Sequence, residues 1–150
     1  MFSVCMRIIN DTSEAEDVMQ EAFLKAFRKI DTYEGEVSFG IWLKKIVINH
    51  SIDHLKKKRI HFEEIKEKIN QIADYQMETK EINIEAIKKA IQNLPDGCRV
   101  VLSLFLIEGY DHDEISQILG ISNASSRIQL LRGKNKLKEQ LKDKEIFLYN

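Results

Sequence analysis

Basic and aromatic side chains gather in two stretches of this chain at spacings that suit contact with a polyanion. In FGIWLKKIVINHSIDHLKKKR, residues 39 to 59, Trp42 stands beside Lys44 and Lys45, and the stretch ends on Lys56, Lys57, Lys58 and Arg59. A planar ring among cations can stack on unpaired bases while phosphates are neutralised. The same composition also describes a core tryptophan on a helix whose terminal lysines complement the helix dipole. In DHDEISQILGISNASSRIQLLRGKNKL, residues 111 to 137, the layout is that of a helix-turn-helix. Ile115, Ile118 and Leu119 form the apolar side of a short helix, Gly120 makes the turn, Ile121 plugs the angle, and a second helix begins near Asn123. Gly120 supplies the positive φ that a tight turn needs, and small Ser116, four residues earlier, lets the second helix cross closely. Leu130, Leu137 and Leu141 are expected to hold the second helix to the core, with Arg127, Ile128, Leu131, Arg132 and Lys134 facing outward. Such a face can enter a major groove, where arginine reads guanine edges or phosphates.

Other reactive-looking residues point to less. His50 and His54 lie four apart, the spacing at which two imidazoles share a metal, but HSIDH has no Glu after its first His and only His61 could serve as a third ligand. No metal site is expected. There is no Ser-His-Asp set, no phosphate-cradling glycine loop and no readable carboxylate pair, so neither catalysis nor a cofactor is expected. Cys5 and Cys98 sit far apart in apolar surroundings and read as buried, reduced thiols.

The elements that must position these groups are helices. Among 150 residues, 43% are apolar and 31% charged, and one proline with six glycines argues against both disorder and an all-β fold. One helix should start at Asp11, Thr12 or Ser13, with Met19, Phe23, Phe27 and Ile30, and also Val18, Ala22 and Ala26, facing a core. Asp17, Gln20, Glu21, Lys25 and Arg28 fall on the other side. A second helix follows the loop from Asp31 to Ser38 and carries the first basic stretch. Residues 60 to 83 have weak periodicity and read as a flexible linker with some helical character. Beyond it come a helix from about Ile84 to Leu94, a buried one after Pro95 closed by Gly109, and the helix-turn-helix. The expected class is all-α, two small helical domains joined by that linker, the second containing the helix-turn-helix.

The formal net charge is only −1, yet its distribution is uneven. Residues 1–36 carry four basic and eight acidic side chains, and residues 37–59 six basic and one acidic. Residues 96–123 hold one basic and five acidic, and residues 124–150 seven and three. Each basic block thus follows an acidic one, a layout that suits basic surfaces for nucleic acid and acidic ones for a protein partner, and that solvated helix faces alone also produce. No apolar run approaches the roughly 18 residues that span a bilayer, and the start lacks a cleavable signal pattern, so a cytoplasmic protein without membrane insertion is expected.

Longer motifs carry a family resemblance. SEAEDVMQEAFLKAFRKID followed by TYEGEVSFGIWLKKIVINHSIDHLKKK resembles the second conserved region of extracytoplasmic-function sigma factors of the sigma-70 superfamily. AIQNLPDGCRVVLSLFLIEGYDHDEISQILGISNASSRIQLLRGKNKLKEQL is similar to their fourth region, including the Leu-Pro step and the E-I-x-x-I-L-G-I-S turn. The two cover residues 3 to 59 and 86 to 141 in the family's order. The resemblance implies an alternative sigma factor that binds core RNA polymerase and directs it to promoters. Asp17, Gln20 and Glu21 would dock on the clamp of the β′ subunit, with the β flap as a further contact. Ser38, Phe39, Trp42, Lys45, Asn49 and Lys56 would hold the minus-ten element, and Ser125, Arg127, Ile128, Leu131 and Arg132 would meet the minus-thirty-five element. The linker would thread near the RNA exit path, and an anti-sigma factor is the implied regulator. The family usually has a β-branched residue at Ser126 and polar or aromatic ones at Ile128 and Leu131, so promoter sequence does not carry over. Ile128 and Leu131 either touch thymine methyls or pack on a partner. Relatives carry another helix ahead of this start, so incomplete cover is expected near Phe2 and Met6. The competing readings are a sigma-like mimic that sequesters an anti-sigma partner without touching DNA, which should lose its basic residues, and an ordinary helix-turn-helix repressor, which needs a ligand pocket or a two-fold operator.

Overall fold

The computed structural model describes residues 1–58 and 83–148, with side chains to Lys142. All regular elements among them are helical, and the chain divides into two compact units. The expected linker lies outside the described residues except for Asn83.

The first unit is made by three helices in mutual contact: α1 (Phe2–Ile9), α2 (Thr12–Arg28) and α3 (Phe39–Lys57). Asn10 ends α1 in the left-handed region at φ 61°, its N–H bonding Met6 O at 2.9 Å. Asp11 then caps α2, its carboxylate accepting from Glu14 N at 2.9 Å, so two residues stop one helix and start the next. A 3-10 turn, Ile30–Thr32, follows α2, and Ser38 caps α3 by accepting from Ile41 N at 3.4 Å. The core consists of Val4, Cys5, Ile8 and Ile9 from α1, Ala15, Val18, Ala22 and Ala26 from α2, and Val47, Ile48, Ile52 and Leu55 from α3. Phe2 is half-exposed.

The second unit contains α4 (Ile84–Gln92), α5 (Asp96–Leu102), the first half of α6 (His112–Leu119) and α7 (Asn123–Leu148), with α4 and α5 both against α7. Asn83 caps α4 through Glu85 N and Ala86 N, and Pro95 stands one residue ahead of α5, where its missing N–H costs nothing. The single buried helix expected after Pro95 is interrupted. From Ser103 to Ile107 the backbone widens into a π-turn, with Glu108 N bonding Ser103 O at 3.1 Å, and Gly109 closes it at φ 78°. Arg99 is buried, with Nη2 2.6 Å from Asp96 Oδ1 and Nη1 3.3 Å from Leu94 O. Gly133 lies where an added Cβ would stand 3.2 Å from Leu102 Cδ1, which lets α7 approach α5 closely.

The apolar reading of α2 needs correction. Its core stripe is the small-residue set, whereas Phe27 is 73% exposed and Ile30 lies outside the core. The helix packs through side chains too short to carry the whole apolar face inward. Ile48→Ala, at a fully buried site, should therefore destabilise by about 2–5 kcal/mol, while Phe27→Ala should change stability by less than about 1 kcal/mol. Urea denaturation of the two variants checks this ordering, and equal losses would return Phe27 to the core.

Candidate nucleic-acid interface

The polar side of α2 faces two ways. Asp17 and Gln20 are exposed to solvent, as is Glu21, whose Oε2 is nevertheless 3.0 Å from His50 Nε2 on α3. Two turns earlier, Glu14 meets His54 Nε2 at 3.3 Å and forms an ion pair with Lys58 Nζ. Lys58, then His54, hold the Glu14 carboxyl below the usual carboxylate range. The two histidines thus each face a carboxylate, and among the described residues no three His, Cys, Asp or Glu side chains gather as metal ligands. His61 lies outside the described residues. No described helix is long and apolar enough to cross a membrane.

At the other end of α3, rings cluster around its first turn. Tyr33, Phe39 and Trp42 lie with centroids 5.5 to 5.6 Å apart, and Tyr33 Oη donates to Val37 O at 2.7 Å, which fixes the loop that delivers Ser38. Phe39 and Leu43 join Phe23, Ala26, Phe27 and Ile30 around an apolar cavity of about 200 Å³. Trp42 is half-buried, Lys45 and Lys56 are exposed, and Asn49 is half-buried further along α3. Ser38 spends its hydroxyl on the cap. Tyr33 was absent from the sequence-derived set; an aromatic inside a polar, glycine-containing loop was the available signal.

The helix-turn-helix is built as its spacing implies. Gly120 has φ 70°, Ile121 is buried, and Ile121 N bonds Ser116 O at 3.1 Å. Ser122 starts α7, accepting from Ser125 N at 3.1 Å. The hydroxyl of Ser116 returns to its own helix at Asp113 O, 2.7 Å away. Arg127 is exposed and its Nε donates to Asn123 Oδ1 at 2.6 Å; Lys134 is exposed, and Leu131 and Arg132 are partly so.

Two residues assigned to the duplex-reading face turn inward. Ser125 is fully buried and hydrogen-bonded to Ser122, and Ile128 is only 6% exposed. The reason is angular. Ser125 and Ile128 are one turn apart on the same face of α7, so the face that buries one buries the other. Ser126, fully buried as well, bonds His112 Nδ1 at 2.8 Å. The outward set is accordingly Arg127, Leu131, Arg132 and Lys134. Of the supports predicted for α7, Leu130 is buried, whereas Leu137 and Leu141 are partly exposed. Cys5 and Cys98 are free and buried, and burial raises the proton affinity of both thiols.

These features define a class: an all-helical protein with a basic helix led by a ring cluster and, later in the chain, a helix-turn-helix. Residues 1–60 match the family model of sigma-70 region 2, and residues 84–137 that of sigma-70 region 4. The chain is 30% identical to the ECF RNA polymerase sigma factor SigW of Bacillus subtilis, over 95% of this chain and 83% of that protein. It is also 30% identical to the RNA polymerase sigma factor SigZ of the same organism, over 89% of this chain and 76% of that one. A solved structure of the sigma factor RpoE in complex with the anti-sigma factor NepR from Bartonella quintana shares the fold. Its TM-score is 0.63 at 22% identity, covering 94% of this chain and 89% of that one. The chain belongs to the extracytoplasmic-function sigma factors of the sigma-70 family, proteins of transcription initiation.

The Glu14 contacts make a pH prediction. A carboxyl whose folded proton affinity is depressed contributes stability above its unfolded pKa of about 4.3, and that contribution disappears as pH falls through the lower folded value. Urea midpoints of the wild type and Glu14→Gln should differ at neutral pH and converge in acid. A gap that persists unchanged at acid pH contradicts the pairing.

Proposed function

We propose that this chain is an alternative sigma factor that binds core RNA polymerase and directs promoter-specific initiation, with residues 1–59 working as region 2 and residues 84–150 as region 4. Asp17, Gln20 and Glu21 on α2 dock on the clamp of the β′ subunit, and the β flap receives the second unit. Phe39, Trp42, Lys45, Asn49 and Lys56 hold the melted minus-ten strand, with Ser38 setting the start of α3 and Tyr33 completing the ring cluster. Arg127 and Arg132, flanked by Leu131, read the minus-thirty-five duplex. Ser125 and Ile128 support α7 from its buried side and are removed from the contact set. An anti-sigma factor is the expected regulator, by analogy with the complex of the structural relative.

The observation that supports this reading is the exposure of Arg127 at the start of α7, held on Asn123, in a chain whose α3 also exposes Lys45, Lys56 and Lys57. A mimic that only sequesters an anti-sigma partner has no use for either set.

The two DNA surfaces should respond differently to mutation. A bidentate arginine contact to a base is worth about 1–3 kcal/mol, roughly five-fold to 150-fold in discrimination. Arg127→Ala and Arg132→Ala should therefore relax preference at the minus-thirty-five element. Replacing Lys56, Lys57 and Lys58 by alanine should weaken all promoters alike and flatten the salt dependence. Reconstituted holoenzyme on promoters mutated separately in each element reads both effects. Equal loss on native and scrambled minus-thirty-five sequences would remove base reading from the arginines. Charge reversal at Asp17 and Glu21 should abolish association with core polymerase at unchanged circular dichroism, and retained binding would remove the clamp assignment.

A further inference from the structure

We propose that His112 is a positioning residue for the reading face of α7 and makes duplex binding by that face proton-dependent. The proposal rests on the reading of α7 as the duplex-reading helix and goes beyond it by naming a residue that no base need touch.

The geometry is a pair of links between the start of α6 and the start of α7. The His112 imidazole lies on Phe105 of the π-turn, with ring centroids 4.5 Å apart and planes at 21°. Its Nδ1 is 2.8 Å from the hydroxyl of buried Ser126. Beside it, Asp113 Oδ1 accepts from Asn123 Nδ2 at 2.7 Å, and Asn123 Oδ1 accepts from Arg127 Nε at 2.6 Å. Asn123 and Ser126 are one turn apart, so the two links grip α7 at successive points on its axis and fix its rotation. Arg127 follows Ser126 in sequence and is bonded to Asn123, so its direction depends on both links. The π-turn contributes by widening the backbone where Phe105 supplies the platform for the imidazole.

The charges around His112 determine how it responds to protons. Arg127 and Lys134 approach from α7, and Asp111 and Asp113 flank the imidazole in sequence. Burial first, then Arg127, hold His112 below the ordinary imidazole range, against the weaker opposing pull of the two aspartates. In the free chain the ring is therefore neutral at neutral pH. A duplex bound at Arg127 brings phosphates close to it, and their negative charge offsets the two cations and favours the protonated ring. The sign follows from linkage. Binding that raises the proton affinity of a group is strengthened as pH falls through the bound value toward the free one, and levels off below both. The added proton places a second cation next to Arg127, which increases phosphate attraction without adding a base contact.

The test uses reconstituted holoenzyme and a duplex that it selects from a random-sequence pool, with affinity measured from about pH 8 down to about pH 6 at several salt concentrations. The wild type should tighten several-fold as pH falls, and its logarithmic salt slope should steepen by about 0.9, the increment for one further neutralised phosphate. His112→Gln keeps a hydrogen-bonding group for Ser126 but takes up no proton, so this variant should lose both changes while melting like the wild type. The same pH dependence in His112→Gln, or none in the wild type, overturns the proposal and leaves the duplex-reading assignment standing. Holoenzyme that binds no duplex at any pH overturns that assignment as well. Should the variant fail to fold, proton titration of the His112 ring in the full-length wild type decides. Its midpoint should rise when the duplex is added, and an unmoved midpoint refutes the coupling.

Discussion

The first unit depends on how little α2 puts into its core. Ala15, Val18, Ala22 and Ala26 are what it buries, and short side chains at a helix contact allow a small interaxial distance. Close approach has two consequences. Larger residues of α2, Phe23 and Phe27 among them, are displaced to the flank, where they meet Phe39 and Leu43 around the apolar cavity. On the opposite flank the carboxylates of Glu14 and Glu21 come within hydrogen-bond reach of His54 and His50. A bulkier seam would separate both sets. The acidic edge of α2 and the basic end of α3 are thus kept in fixed relation by four small residues.

The second unit meets the same demand at the start of α7, where Ser125 and Ser126 are fully buried and each finds a hydroxyl or imidazole partner. Buried hydroxyls without partners are costly, so these bonds specify one rotation of the helix as well as stabilising it. Further along, Gly133 performs the small-residue function, admitting Leu102 and the backbone of Cys98. In each unit the surface that faces outward is determined by what the inner face can admit.

This explains what was legible in the sequence. The helical class, the start of α2 among Asp11, Thr12 and Ser13, the turn glycines Gly109 and Gly120 and the plug at Ile121 were readable because they depend on local backbone chemistry. Exposure of Asp17 and Gln20 followed from periodicity. Phe27, Ser125 and Ile128 were misassigned for a common reason: periodicity gives the angle of a residue around its helix, while tertiary packing decides which angle faces inward. On α2 the inward angle falls on Ala22 and leaves Phe27 outside, and on α7 it falls on Ser125 and Ile128 together. The π-turn at Ser103 was hidden for another reason, since SLFLI has no residue that breaks a helix.

Charge completes the argument. In residues 96–123 the single basic side chain is Arg99, and it is buried against Asp96 and Leu94 O, away from the surface. Asp111, Asp113 and Glu114 at the start of α6 are therefore not offset from within their own segment. Asp113 is hydrogen-bonded to Asn123, and Glu114 Oε2 accepts from Asp111 N at 2.8 Å. Asp113 thus ties the start of α6 to α7, while Asp111 and Glu114 cap α6 by bonding each other's backbone N–H. A chain of net charge −1 can thus keep an exposed arginine beside an acidic turn: Asp113 holds Asn123, and Asn123 in turn accepts from Arg127.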